Sequence, residues 1–114
     1  MKQTPAIACT LTDSELRDRR SAWMKVGRYA IDAEPVVGGL RFTFAAAPGV
    51  EPSLRQLIEL EAECCEWMTI RLDRLQDRLQ MSVTGIGDDG EQAARESFAP
   101  LAELVSGRPS AARP

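Results

Sequence analysis

At Trp67 the spacing of apolar residues changes, and that change constrains the fold more than any other feature of the chain. Before it, Leu54, Leu57, Ile58, Ala62 and Cys65 stand at offsets of three, four, eight and eleven, which is one continuous helical face. Arg55, Glu59, Glu63 and Glu66 fall on the other side. After it, Met68, Ile70 and Leu72 alternate with Thr69, Arg71 and Asp73, the two-residue period of a strand. A helix that passes directly into a strand calls for a mixed α and β architecture.

The remaining segments extend that reading in both directions. Residues 5–11, Pro-Ala-Ile-Ala-Cys-Thr-Leu, predict a short central strand. Thr12 and Glu15 have the spacing of a capping box, and the helix they open runs to about Val26 with Leu16, Trp23 and Val26 on one face. Gly27 is a natural stop. Residues 28–34 alternate loosely, Gly38-Gly39 signals a turn, and Leu40 to Phe44 alternate strictly, so a hairpin is expected with Pro35 marking irregular pairing. The second helix opens near Pro52-Ser53, where Ser53 and Gln56 match another capping box. Leu79, Met81 and Val83 form a strand after a turn at Gln76-Asp77. Gly85 to Gly90 reads as a loop, and residues 91–106 as a terminal helix that Pro100 kinks or splits. Ala94, Phe98, Leu101 and Val105 face inward along it.

The order is β-α-β-β-α-β-β-α, and no internal repeat is visible. Its first six elements match a ferredoxin-like βαββαβ sandwich with an added strand and a C-terminal helix. The expected organisation is a single α+β domain over residues 1–106, followed by a disordered tail at 107–114. A chain of 114 residues suffices for one domain with its own core.

Composition narrows the chemistry. Fourteen basic and seventeen acidic residues leave a net charge of −3, which argues against nucleic acid as a partner. No apolar run is long enough to span a bilayer, and Thr12-Asp13-Ser14-Glu15 interrupts any signal-peptide-like stretch, so a cytoplasmic protein is expected. There is no histidine, which removes the commonest general base and every imidazole metal site. There are three cysteines, Cys9, Cys64 and Cys65, an odd number that is not a disulfide framework. A disulfide between sequence neighbours closes a strained ring, which argues against a structural bond between Cys64 and Cys65.

The ferredoxin-like strand order, 4-1-3-2, makes a geometric claim about these thiols. The end of strand one lies beside the start of strand four, so Cys9 converges with Cys64 and Cys65 at one end of the sheet. Free cysteine is also among the most buried residue types, and three small core residues are the plainer account. The local charges separate the possibilities. Cys64 and Cys65 sit at a helix C-terminus between Glu63 and Glu66, and all of these oppose thiolate formation. A cysteine nucleophile without a basic partner is therefore disfavoured, as is catalysis more generally. A bound cation reverses the argument by supplying the positive charge itself. Three thiolates suit a soft ion such as Cu(I), Hg(II) or As(III), whereas Zn(II) wants a fourth ligand from Glu63, Glu66 or water.

Ile7-Ala8-Cys9-Thr10-Leu11 at the start and Glu63-Cys64-Cys65-Glu66-Trp67 at the helix end resemble a set of small bacterial proteins. These carry an Ile-Ala-Cys-Thr-Leu opening and a Glu-x-Cys-Cys-Pro-Phe helix end, sometimes beside regulators of metal or metalloid resistance. Glu66 stands here in place of the proline and Trp67 in place of the phenylalanine. The resemblance implies a thiol site and a setting in metal resistance, without implying an activity.

Other features have plainer accounts. Trp23, Trp67, Phe42, Phe44 and Phe98 are expected in the core, and so are Met24 and Met68, although thioethers can ligate Cu(I). Arg17, Arg19 and Arg20 read as a solvated face, as do Glu59 and Glu63. Asp88-Asp89-Gly90-Glu91 lacks the ligand pattern of a calcium loop. Two accounts of function therefore stand: a three-cysteine site for a soft metal or metalloid ion, and a small interaction or ligand-binding domain with structural cysteines; a third, a small lyase or isomerase with Glu63 or Glu66 as base, has nothing specific behind it. In the second, an edge strand at 28–34 or 79–84 pairs across a homodimer.

Overall fold

The computed structural model describes residues 12–64 and 66–106. Thr12 caps the first helix, α1 (Asp13–Gly27), by accepting a hydrogen bond from the Glu15 amide, while the Glu15 carboxylate accepts one from the Thr12 amide. This is the capping box that the spacing predicts. Next come the hairpin β1 (Ala30–Val36) and β2 (Gly39–Ala45), helix α2 (Val50–Cys64), and a second hairpin, β3 (Met68–Leu75) and β4 (Arg78–Gly85). Helices α3 (Gly87–Ser97) and α4 (Ala99–Ser106) follow.

The four strands form one antiparallel sheet in the order β1-β2-β4-β3. Alternation divides it into two faces. Leu40, Phe42 and Phe44 of β2 register against Val83, Met81 and Leu79 of β4, and all six are buried. Their neighbours Arg41, Thr43, Gln80 and Ser82 form a polar, partly exposed face. Trp23 of α1, Leu54 and Leu57 of α2, Ala94 and Phe98 of α3 and its junction, and Leu101 of α4 complete one core against the apolar face. Trp23 meets Phe98 edge-on with ring centroids 5.0 Å apart, and Phe98 lies 6.1 Å from Phe42. The five aromatics expected inside are all buried.

An α+β architecture is therefore present, but the described strand order departs from the ferredoxin-like one. That order puts the first strand between the third and fourth. Here β4 occupies the space between β2 and β3 and hydrogen-bonds to both. The short turn at Gln76-Asp77, with Gln76 at φ 56°, joins β3 to β4 and pairs them locally, where loop closure costs least. The expected first strand, residues 5–11, and the expected tail, 107–114, lie outside the described residues.

Other differences have local causes. α2 begins at Val50 rather than near Pro52, since proline is tolerated in a first helical turn. Its buried stripe is Val50, Leu54, Leu57 and Glu61, which turns Ala62 outward to solvent. α3 opens at Gly87, within the expected loop, where Asp88 and Asp89 suit the positive end of the helix dipole. The terminal helix is split at Phe98, and Pro100 sits in the first turn of α4. β4 is bonded on both sides, so residues 79–84 are not an edge; the described edges are β1 and β3.

Candidate thiol site

How α1 lies on α2 determines which end of α1 the close of α2 approaches. Arg19 and Trp23 both reach Glu61: the Trp23 indole Nε1–H donates to Glu61 Oε2 over 2.8 Å, and an Arg19 guanidinium nitrogen stands 3.3 Å from the same oxygen. One turn further along α1, Ala22, Lys25 and Val26 share a groove with Val50, Ser53 and Leu57. Toward the start of α1, Glu15, Asp18 and Arg19 face Leu57 and Leu60. Rising numbers on α1 thus meet falling numbers on α2, and the helices are antiparallel. The start of α1 lies toward the end of α2.

Of the described residues, Glu61 is the buried charged one, with 8% of its surface exposed. A carboxylate at that depth needs a cation and hydrogen-bond donors, which Arg19 and Trp23 supply. The side chains of Arg19 and Glu61 are only 14% and 11% exposed. Arg17 and Arg20 are exposed, as a solvated face requires, but Arg19 is not part of that face.

α2 closes at Cys64 with no basic residue in its last turn, and Glu63 and Glu66 on either side of the pair are exposed. The last turn of α2 is the negative end of the helix dipole, and it carries no lysine or arginine to offset that charge. Trp67, which follows, is 7% exposed, and its Nε1 has no hydrogen-bond partner among the described residues. Met68 begins β3 inside the core, and Met24 packs against the core from α1. Glu59 is exposed with Glu63, as an outer charged face requires.

Cys9 and Cys65 lie outside the described residues, and Cys64 is placed only as the last residue of α2. Among the described residues no cluster of three or more Cys, Asp or Glu side chains has the arrangement of a metal site. No helix among them is long and apolar enough to cross a membrane. The sequence pointed to the thiols but missed the Arg19–Glu61–Trp23 group. Its members are 38 or more residues apart across the two helices, and only a stripe drawn through Val50, Leu54 and Leu57 would have included Glu61. Comparison with known proteins found no matching family model, curated relative or solved structure.

Proposed function

We propose that the chain binds a soft metal or metalloid ion, Hg(II), Cu(I), As(III) or Zn(II), through the thiolates of Cys9, Cys64 and Cys65. The observation that supports this reading most is the antiparallel packing of α1 on α2. Thr12 stands about 10 Å along α1 from Arg19, and Cys64 about 5 Å along α2 from Glu61, in the same direction. Cys9 precedes Thr12 by three residues, a tether of about 10 Å when extended. The tether is comparable to the separation of two packed helices, about 8–10 Å, so the three-thiol site requires residues 9–11 to lead from Thr12 toward the end of α2. The packing of α1 on α2 is independent of the ferredoxin-like strand order.

The charges favour a cation over a nucleophile. The dipole of α2, Glu63 and Glu66 disfavour free thiolates but attract an ion that carries positive charge. Thiolate donors select soft ions, and a reducing cytoplasmic compartment keeps the three thiols available. Metal or metalloid resistance is the setting that the motif resemblance implies for such a site.

Melting temperatures of the wild type, Cys9→Ser, Cys64→Ser and Cys65→Ser, with and without Hg(II), Cu(I), Zn(II) and arsenite, test the proposal. An ion at a hundred times its Kd stabilises the wild type by about 2.7 kcal/mol, and each serine variant loses most of that gain. Equal thermal shifts in all four proteins contradict the proposal. Serine variants that melt lower yet keep every metal response would assign the thiols to packing, and the chain to the interaction-domain reading.

A further inference from the structure

The two edges of the sheet are built differently. β1 carries Pro35, which cannot donate to a neighbouring strand, and a bulge between Ala30 and Asp32. Both are common ways of making an edge unfit for pairing. β3 has neither. It pairs with β4 in unbroken register from Met68 to Leu75, and no described strand lies on its other side. A regular eight-residue edge with an apolar side made by Met68, Ile70 and Leu72 is suited to accepting another strand.

We propose that residues 5–11 of the same chain add to this edge as a fifth strand, antiparallel to β3. Three observations select that occupant. The first is direction: the segment ends at the start of α1, which lies toward the end of α2, and β3 begins four residues after α2. A segment ending there and running along β3 is antiparallel to it. The second is handedness. The segment then lies parallel to β1 and connects to it through α1, as β2 connects to its parallel partner β3 through α2. Both helices cover the same face. Placing the segment beyond β3 gives the two crossovers the same hand, whereas placing it beyond β1 gives them opposite hands. Crossovers of this kind are almost always right-handed. The third is pattern: Ile7, Cys9 and Leu11 alternate with Ala6, Ala8 and Thr10, which matches the alternation of β3.

A second copy of the chain is the competing occupant. The tethered segment has the advantage, because its effective concentration at the edge is in the millimolar range for a short link. This inference rests on the thiol-site reading only for its consequence. A fifth strand on β3 delivers Cys9 to the end of α2, so the site is assembled by strand addition.

Residue-resolved amide exchange on the metal-free full chain tests it, with Ile7→Pro and Ala8→Pro as variants. In an antiparallel ladder, alternate amides of β3 face away from β4. These are expected to exchange slowly in the wild type. Successive amides of a strand point opposite ways, so one of the two prolines removes a bond to β3 and accelerates exchange there by at least about tenfold, while the other does much less. Exchange of the outward amides at unstructured-peptide rates in the wild type overturns the proposal. So does protection that rises with protein concentration together with a dimer mass, which would identify a second copy as the occupant. Neither readout involves metal, so a failed strand and a failed thiol site are told apart.

Discussion

At the scale of single residues, Glu61 is the least expected feature. Its position among Val50, Leu54 and Leu57 is fixed by helical geometry, but its tolerance of burial depends on Arg19 and Trp23. Replacing Glu61 with alanine takes an anionic partner from the mostly buried Arg19 guanidinium and removes the acceptor of the Trp23 N–H. The expected cost is about 3 kcal/mol in urea unfolding, and Glu61→Gln should cost less because it keeps an acceptor for the indole. A loss well under 1 kcal/mol for Glu61→Ala would show that the group contributes little. Apolar residues could be read as core from their spacing, but polar pairings could be read only where the partners are local. Thr12 finds Glu15 three positions away, whereas Glu61 finds its partners on another helix.

At the scale of elements, the same division holds. Both hairpins, the split before Pro100 and the end of α1 were legible because turns, prolines and caps act over a few residues. The sheet order was not, because the contact between β2 and β4 joins segments separated by a helix and a strand. Close approaches of this kind leave only faint marks in sequence. A Cβ on Gly85 would strike the Gly90 carbonyl, so the passage from β4 into α3 needs glycine at that crossing. The first turn of α2 is fastened to the far end of β3 by a similar long-range contact: Glu51 accepts from Arg55 at 2.7 Å and from Arg74 at 2.7 Å. The Arg55 hydrogen bond, with Arg74 behind it, holds the Glu51 carboxyl below its usual value of 4.5. A lowered carboxyl pKa stabilises the fold above the unfolded value and loses that effect as pH falls through the folded one. Glu51→Gln should therefore melt slightly lower than the wild type at pH 7, with the difference closing as pH drops below about 4. A difference unchanged down to pH 2 would mean that charge at Glu51 is not its cause.

At the scale of the whole molecule, a one-sided sheet and two antiparallel helices determine which parts of the chain can meet. The core lies between the apolar sheet face and the helices, and the opposite face stays polar. Cys64, the last residue of α2, stands at the margin of this arrangement, four residues before β3 begins. The convergence of Cys9 with Cys64 and Cys65 was expected from the ferredoxin-like strand order, which the described sheet does not have, and in the proposed reading the packing of α1 on α2 takes its place. In the proposed reading, the choice of ion is a matter of donor softness rather than of fold. Native mass spectrometry of the full chain with one equivalent of Hg(II), beside Cys9→Ser, Cys64→Ser and Cys65→Ser, counts the ions held by each protein. A three-thiol site holds one ion per wild-type chain, retained against a competing small thiol, and each of the three variants loses that retention. Retention that persists in Cys9→Ser, or an ion shared only between two chains, would contradict a three-thiol site within one molecule.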